Sequence, residues 1–184
     1  MFRKKWKPKN QSDGEEPREI TDVPKARERT MKRAVTLLAA KPRSIGELRQ
    51  RLLEKNWTNA EIVESVLTRL EEYKFLNDEQ FAHDFAASKL RQKPQGKRKL
   101  QQTLAQKQLD KETVNHALEQ VFEETPESEL VALAVEKRIR LKGLPQTRDE
   151  TKKFYDYLLR QGFSYGTISE KMREIAKNEF DENE

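Results

Sequence analysis

With 38% charged and only 34% hydrophobic residues, a chain of 184 residues is too lean for one thick globule. It suits a thin array in which each helix buries one stripe and leaves the rest wet. No segment approaches a membrane-spanning apolar run, and the absence of cysteine excludes disulfides and thiolate metal sites, so the expected setting is cytoplasmic.

The first 25 residues carry Pro8, Pro17 and Pro24 without apolar periodicity and read as a disordered tail, basic through Arg3, Lys4, Lys5, Lys7 and Lys9, then acidic from Asp13 to Asp22. A first three-helix unit is expected over 26–76. Its opening helix turns Ala34, Leu37 and Leu38 inward and stops at Pro42. Ser44 with Glu47 forms a capping box for the helix of Leu48 and Leu52, and Thr58 with Glu61 forms another for the helix of Ile62, Val66 and Leu70.

A second unit, 77–124, opens at Asn77 with Gln80 in the box position and Phe81, Ala82, Phe85 and Ala86 inward. Pro94 and Gly96 separate it from the helix of Leu100 and Leu104, and Asp110 caps the helix of Val114, Leu118, Val121 and Phe122. The third unit, 125–180, starts at Thr125 with Pro126 at the first helical position and a stripe of Leu130, Leu133, Ala134 and Leu141. Thr147 and Glu150 box the helix of Phe154 and Leu158, Gly162 closes it, and Ser164 caps the helix of Ile168, Met172 and Ile175.

The three units share one pattern. Leu48, Leu52, Trp57, Ile62 and Val66 recur as Leu100, Leu104, Leu109, Val114 and Leu118, and again as Phe154, Leu158, Phe163, Ile168 and Met172. Trp57, Leu109 and Phe163 thus read as equivalent plugs, each just before a cap and fixing the direction of the next helix. The expected fold is all-α: three tandem three-helix repeats in an elongated, curved array behind a disordered N-terminal tail. Such arrays bind.

Catalytic signatures are missing: there is no G-x-S-x-G, no G-x4-G-K-[ST] and no H-E-x-x-H. His83 and His116 read as isolated surface or interface residues, so neither a metal nor a cofactor is expected, nor an enzyme.

The strong local signal is basic. From Phe85 to Leu109 no acid interrupts Lys89, Arg91, Lys93, Lys97, Arg98, Lys99 and Lys107. The first six converge on one interhelical corner. There, cations at a helix N-terminus oppose the helix dipole, a cost that a bound anion removes. A second patch, Lys137, Arg138, Arg140 and Lys142, ends the first helix of the third unit, where the dipole itself favours cations.

From about Arg33 to Phe180 the chain resembles the RecX family of bacterial regulatory proteins. The resemblance rests on Ala34-x2-Leu37-Leu38, Ser44-x2-Glu47-Leu48-x3-Leu52 and Leu76-Asn77-Asp78-x2-Phe81-Ala82-x2-Phe85 with Lys89-x-Arg91. It continues through Gly96-x3-Leu100-x3-Leu104-x2-Lys107 and Leu158-x3-Gly162-Phe163-x4-Ile168. The glycine often found before the last apolar residue of the second helix is retained only as Gly162; Asn56 and Gln108 replace it in the other units.

The resemblance implies a non-enzymatic modulator, monomeric and away from membranes. It would lie along the groove of the RecA–single-stranded DNA filament, meet DNA through that filament, and damp ATP hydrolysis, strand exchange and coprotease activity in DNA repair and the SOS response. Two other classes fit the residues alone: a direct nucleic-acid binder using the basic corner, and a generic helical-repeat adaptor for another protein.

Overall fold

A computed structural model describes residues 20–181, and these form nine helices and no strand. The tail expected over 1–25 lies outside the described residues as far as residue 19. Its end is helical: α1 (Val23–Ala40) begins at Val23 because Asp22 caps it, accepting from the Lys25 N–H at 3.0 Å, and Pro24 fits the first turn. Then follow α2 (Ile45–Leu53), α3 (Ala60–Glu72), α4 (Asp78–Gln92), α5 (Lys97–Ala105), α6 (Lys111–Glu124), α7 (Glu127–Lys142), α8 (Arg148–Arg160) and α9 (Tyr165–Asp181). The helices pack in threes, α1 with α2 and α3, α4 with α5 and α6, α7 with α8 and α9.

The core is divided into two parts. Ala34, Leu48, Leu52, Val63, Leu67 and Leu70 close the first set by themselves. The second and third sets share one continuous core running from Ala82 through Leu104 and Leu118 to Phe154, Phe163 and Ile168. Ala82, Ala86 and Ala117 are buried where α4 packs on α6, and their small side chains let those two backbones approach closely.

The expected caps hold at Ser44, Asn77, Asp110, Thr147 and Ser164, but only Thr147 with Glu150 closes a box; Glu47 bonds Lys107 and Gln80 bonds Asp84 instead. Thr58 is a correction: Asn59 caps α3, accepting from the Ile62 N–H, and Thr58 is buried with its hydroxyl 3.0 Å from that of Thr30. The turn before α3 is therefore one residue longer than its counterparts. In helical register Val63 and Leu67, not Ile62 and Val66, match Val114 and Leu118, although all four of these α3 residues are buried.

The same slip removes Trp57 from the plug position. Phe163 is fully buried, and Leu109 is half-buried against the shared core; Trp57 is also half-buried but packs against neither apolar core, with the Arg29 guanidinium 3.8 Å from its ring. Thr58 occupies the place that Phe163 fills.

Two further readings change in the third set. Pro126 is the residue before α7, not its first, and α7 buries Leu130, Val131, Ala134 and Val135, leaving Leu133 and Leu141 exposed. Of the three turns, Gln108 (φ 57°) and Gly162 (φ 92°) are left-handed, and Asn56 in the longer turn is not.

Those two left-handed residues mark a junction used twice. The carbonyl of Lys107, just before Gln108, accepts from the Ser44 hydroxyl at the N-terminus of α2. The carbonyl of Gln161, just before Gly162, accepts from the Gly96 N–H at the N-terminus of α5, at 2.9 Å. A side-chain tie repeats beside it with polarity reversed: Lys107 Nζ sits 3.0 Å from Glu47 Oε1, and Lys99 Nζ donates to Gln161 Oε1 at 3.3 Å. The first and second three-helix sets thus each seat their middle helix on the turn of the next. Asp78 adds a third tie at the first junction, accepting from the Ile45 N–H at 2.8 Å.

Candidate functional site

The basic corner is built by the end of α4, the turn Lys93–Gly96 and the start of α5. Lys93 leaves helical geometry with φ −157°, its N–H still bonded to the Lys89 carbonyl, and Pro94 prevents the helix from continuing. Gln95 and Gly96 are buried against the third set, so the turn is anchored where it carries the cations.

Six predicted site residues are brought to this corner, but they are not equivalent. Lys99 is engaged with Gln161, and the Lys89 ammonium lies 5.3 Å from the Phe85 ring centroid. Arg91, Lys93, Lys97 and Arg98 are exposed and make no ion pair among the described residues.

No acid stands in the first turn of α5, and Gly96 offers no capping side chain. The cap comes instead from the next set: Glu127 Oε1 accepts from the Lys97 N–H at 2.9 Å. This contact was not legible in the sequence, because the two residues belong to different helices and no local spacing connects them. It satisfies one backbone donor and leaves the exposed side chains of Lys97 and Arg98 directed to solvent, on the positive end of the helix dipole.

The second patch is on a different helix, at the end of α7. Lys137, Arg140 and Lys142 are exposed, and Arg138 is half-buried with its guanidinium 4.7 Å from the Tyr157 ring centroid. Arg140 and Lys142 fall in the last turn, where the dipole favours them. This patch is thereby explained in part by its own helix, and the corner is not.

The histidines are nearer to each other than the sequence suggested. Both line one depression of 630 Å³ between α4 and α6, with Glu79, Glu123 and Glu124. His83 Nε2 is 3.2 Å from Glu124 Oε1 and its Nδ1 is 3.4 Å from Asp84 Oδ1. No group of three or more metal-ligating side chains forms among the described residues. Nor is any described helix long and apolar enough to cross a membrane.

Carboxylates elsewhere serve the scaffold. Backbone and side-chain donation from Thr113 holds the Asp110 pKa below its ordinary value, and the N–H groups of Gln146 and Thr147 do the same for Glu150. Asp78 goes the other way, because burial between the first two sets outweighs the Ile45 hydrogen bond.

Three-helix sets seated turn upon helix, with exposed cations gathered at an anchored corner, define a helical-repeat binding protein. The sequence match to known proteins is specific: the RecX first three-helix domain matches residues 31–70 and the RecX second three-helix domain matches 77–118. Regulatory protein RecX of Chlorobaculum tepidum is 32% identical over 147 residues, covering 79% of this chain and 88% of that protein. Regulatory protein RecX of Bacillus subtilis is 30% identical over 143 residues, covering 78% of this chain and 53% of that protein. The crystal structure of RecX from Lactobacillus salivarius shares the fold, with a TM-score of 0.74 at 18% identity over 83% of this chain and 98% of that one. The chain belongs to the RecX family, and is a regulator rather than an enzyme.

Proposed function

We propose that this chain binds the RecA–single-stranded DNA filament in the cytoplasm, as a monomer, and modulates its ATPase, recombinase and coprotease activities. Membership of the RecX family supports the partner. The observation that carries the site is the set of cations Arg91, Lys93, Lys97 and Arg98 on an anchored turn, exposed and without an ion pair among the described residues, a surface suited to a polyanionic filament. Lys89 and Lys99 frame this contact, and Lys137, Arg138, Arg140 and Lys142 form a second one on the following set. In this reading the repeats 26–76, 77–124 and 125–180 form a curved array along the filament.

The test is to titrate the protein into RecA hydrolysing ATP on single-stranded DNA, beside a DNA-only binding control. Lys93→Glu, Lys97→Glu and Arg98→Glu together leave helicity intact, since the side chains are exposed and acids at Lys97 and Arg98 suit the dipole. The triple variant is expected to modulate RecA more weakly and with less salt dependence. Undiminished modulation would remove the corner from the interface. Direct nucleic-acid binding is the second reading, favoured by the same exposed cations; steeply salt-dependent binding in the DNA-only control would select it.

A further inference from the structure

A groove of about 700 Å³ lies between the end of α1, the α3–α4 turn and α4, within the roughly 300–1,000 Å³ range of ligand pockets. Val35, Leu38, Leu76, Phe81 and Phe85 line it, the two phenylalanine rings stacked with centroids 5.8 Å apart. At its edge stands Phe75, 69% exposed.

Phe75 is held there by the backbone. Its N–H bonds to the Leu70 carbonyl at 2.8 Å, and that of Lys74 to the Glu71 carbonyl at 2.9 Å, which together make the two-bond helix stop that needs a left-handed residue. Lys74 occupies that position with φ 60°, an unfavourable conformation for a residue bearing a side chain. The turn therefore presents a large aromatic ring to solvent on a fixed backbone.

The rim is cationic at both ends. Arg43 and Lys74 line one end, and the Lys89 and Lys107 ammonium groups lie 5.3 and 5.0 Å from the Phe85 ring centroid at the other. Arg43 also carries a buried Nε without a hydrogen-bond partner among the described residues. Of the nearby acids, Glu47 is ion-paired with Lys107, and Asp84, which lines the groove on α4, accepts from Gln80 and lies 3.4 Å from His83 Nδ1.

We propose that this groove docks an acidic amphipathic peptide segment of a protein partner. Bulky apolar side chains of the segment fill the space between Phe75 and Phe85, and its flanking carboxylates meet Arg43, Lys74 and Lys89. The apolar floor, with Arg43 and Lys74 at one end and Lys89 near the other against the single lining carboxylate of Asp84, selects both features at once.

Fluorescence anisotropy of the full chain with a short labelled peptide tests this, using leucine and phenylalanine flanked by glutamates. Two controls replace the glutamates by lysine or the apolar residues by serine. The acidic apolar peptide is expected to bind at least about tenfold more tightly than either control. Phe75→Ser and Phe81→Ser, neither in the apolar core, are each expected to weaken it about tenfold, and Phe75→Leu to retain most of the affinity. Lys74→Gly keeps the turn, removes one cation and is expected to cost about twofold. Equal binding of the three peptides, preference for the basic one, or unchanged affinity in Phe75→Ser would overturn the proposal. The assay contains no RecA, so its outcome is independent of the functional reading above.

Discussion

Gly96 and Gly162 meet where the second three-helix set joins the third, and neither has room for a side chain. A Cβ on Gly96 would stand 2.2 Å from the Gly162 carbonyl oxygen, and one on Gly162 would stand 2.5 Å from the Lys99 Cβ. Gly162 is also left-handed. Gly162→Ala is therefore expected to cost about 2–4 kcal/mol in urea unfolding, the sum of backbone strain and overpacking. A loss under about 0.5 kcal/mol would show that the two sets part without consequence.

The plug positions should rank by packing into the apolar core and not by aromaticity. Phe163→Ala removes a fully buried ring and is expected to cost about 3–5 kcal/mol. Leu109→Ala, half-buried, should cost about 1–2 kcal/mol. Trp57→Ala, half-buried but outside both apolar cores, should cost about 1 kcal/mol, chiefly its contact with Arg29. Thermal melts giving Trp57→Ala the largest effect would restore it to the plug position.

Glu127 caps a helix to which it does not belong. Glu127→Ala is expected to lower stability by about 0.5–1 kcal/mol, and Glu127→Gln, which keeps an acceptor for the Lys97 N–H, by less. Equal losses for the two would show that charge, not the hydrogen bond, is what α5 requires.

The pH dependence has two opposed parts. Asp110, Glu150 and the Arg49-bonded Glu64 have lowered pKa values, so their stabilisation is present above the ordinary carboxylate range and is lost as pH falls through their folded values. Asp78, raised by burial, contributes stability in its protonated form that is lost as pH rises through its folded value. Asp78→Asn, which retains an acceptor for Ile45, is thus expected to exceed the parent in stability at neutral pH, with the margin shrinking in acid. Urea unfolding at both pH values checks this, and a margin independent of pH would contradict it.

Helices and most caps were legible because each depends on residues within a few positions of one another. The slip at Thr58 was not, because Thr58 and Asn59 are both capping types and only Thr30, on another helix, decides between them. The face of α7 differs from its sequence pattern for a related reason. Leucine outweighed valine in the sequence pattern, yet Val131 and Val135 face the shared core and Leu133 and Leu141 do not. The basic corner is visible as a run, but the division within it comes mostly from Gln161 and Glu127, far along the chain; the Lys89–Phe85 contact, one turn apart on α4, is within reach of sequence spacing.

The third set does not repeat the seating of its middle helix. The N-terminus of α8 supplies its own closure, Thr147 accepting from the Glu150 N–H while the Glu150 carboxylate accepts from Gln146 and Thr147. At the opposite end, the turn before α3 has the extra residue and no left-handed backbone to offer. Plug and socket are consequently both altered at the outer ends, and the turn-on-helix junction is confined to the interior of the chain, where α2 and α5 are seated.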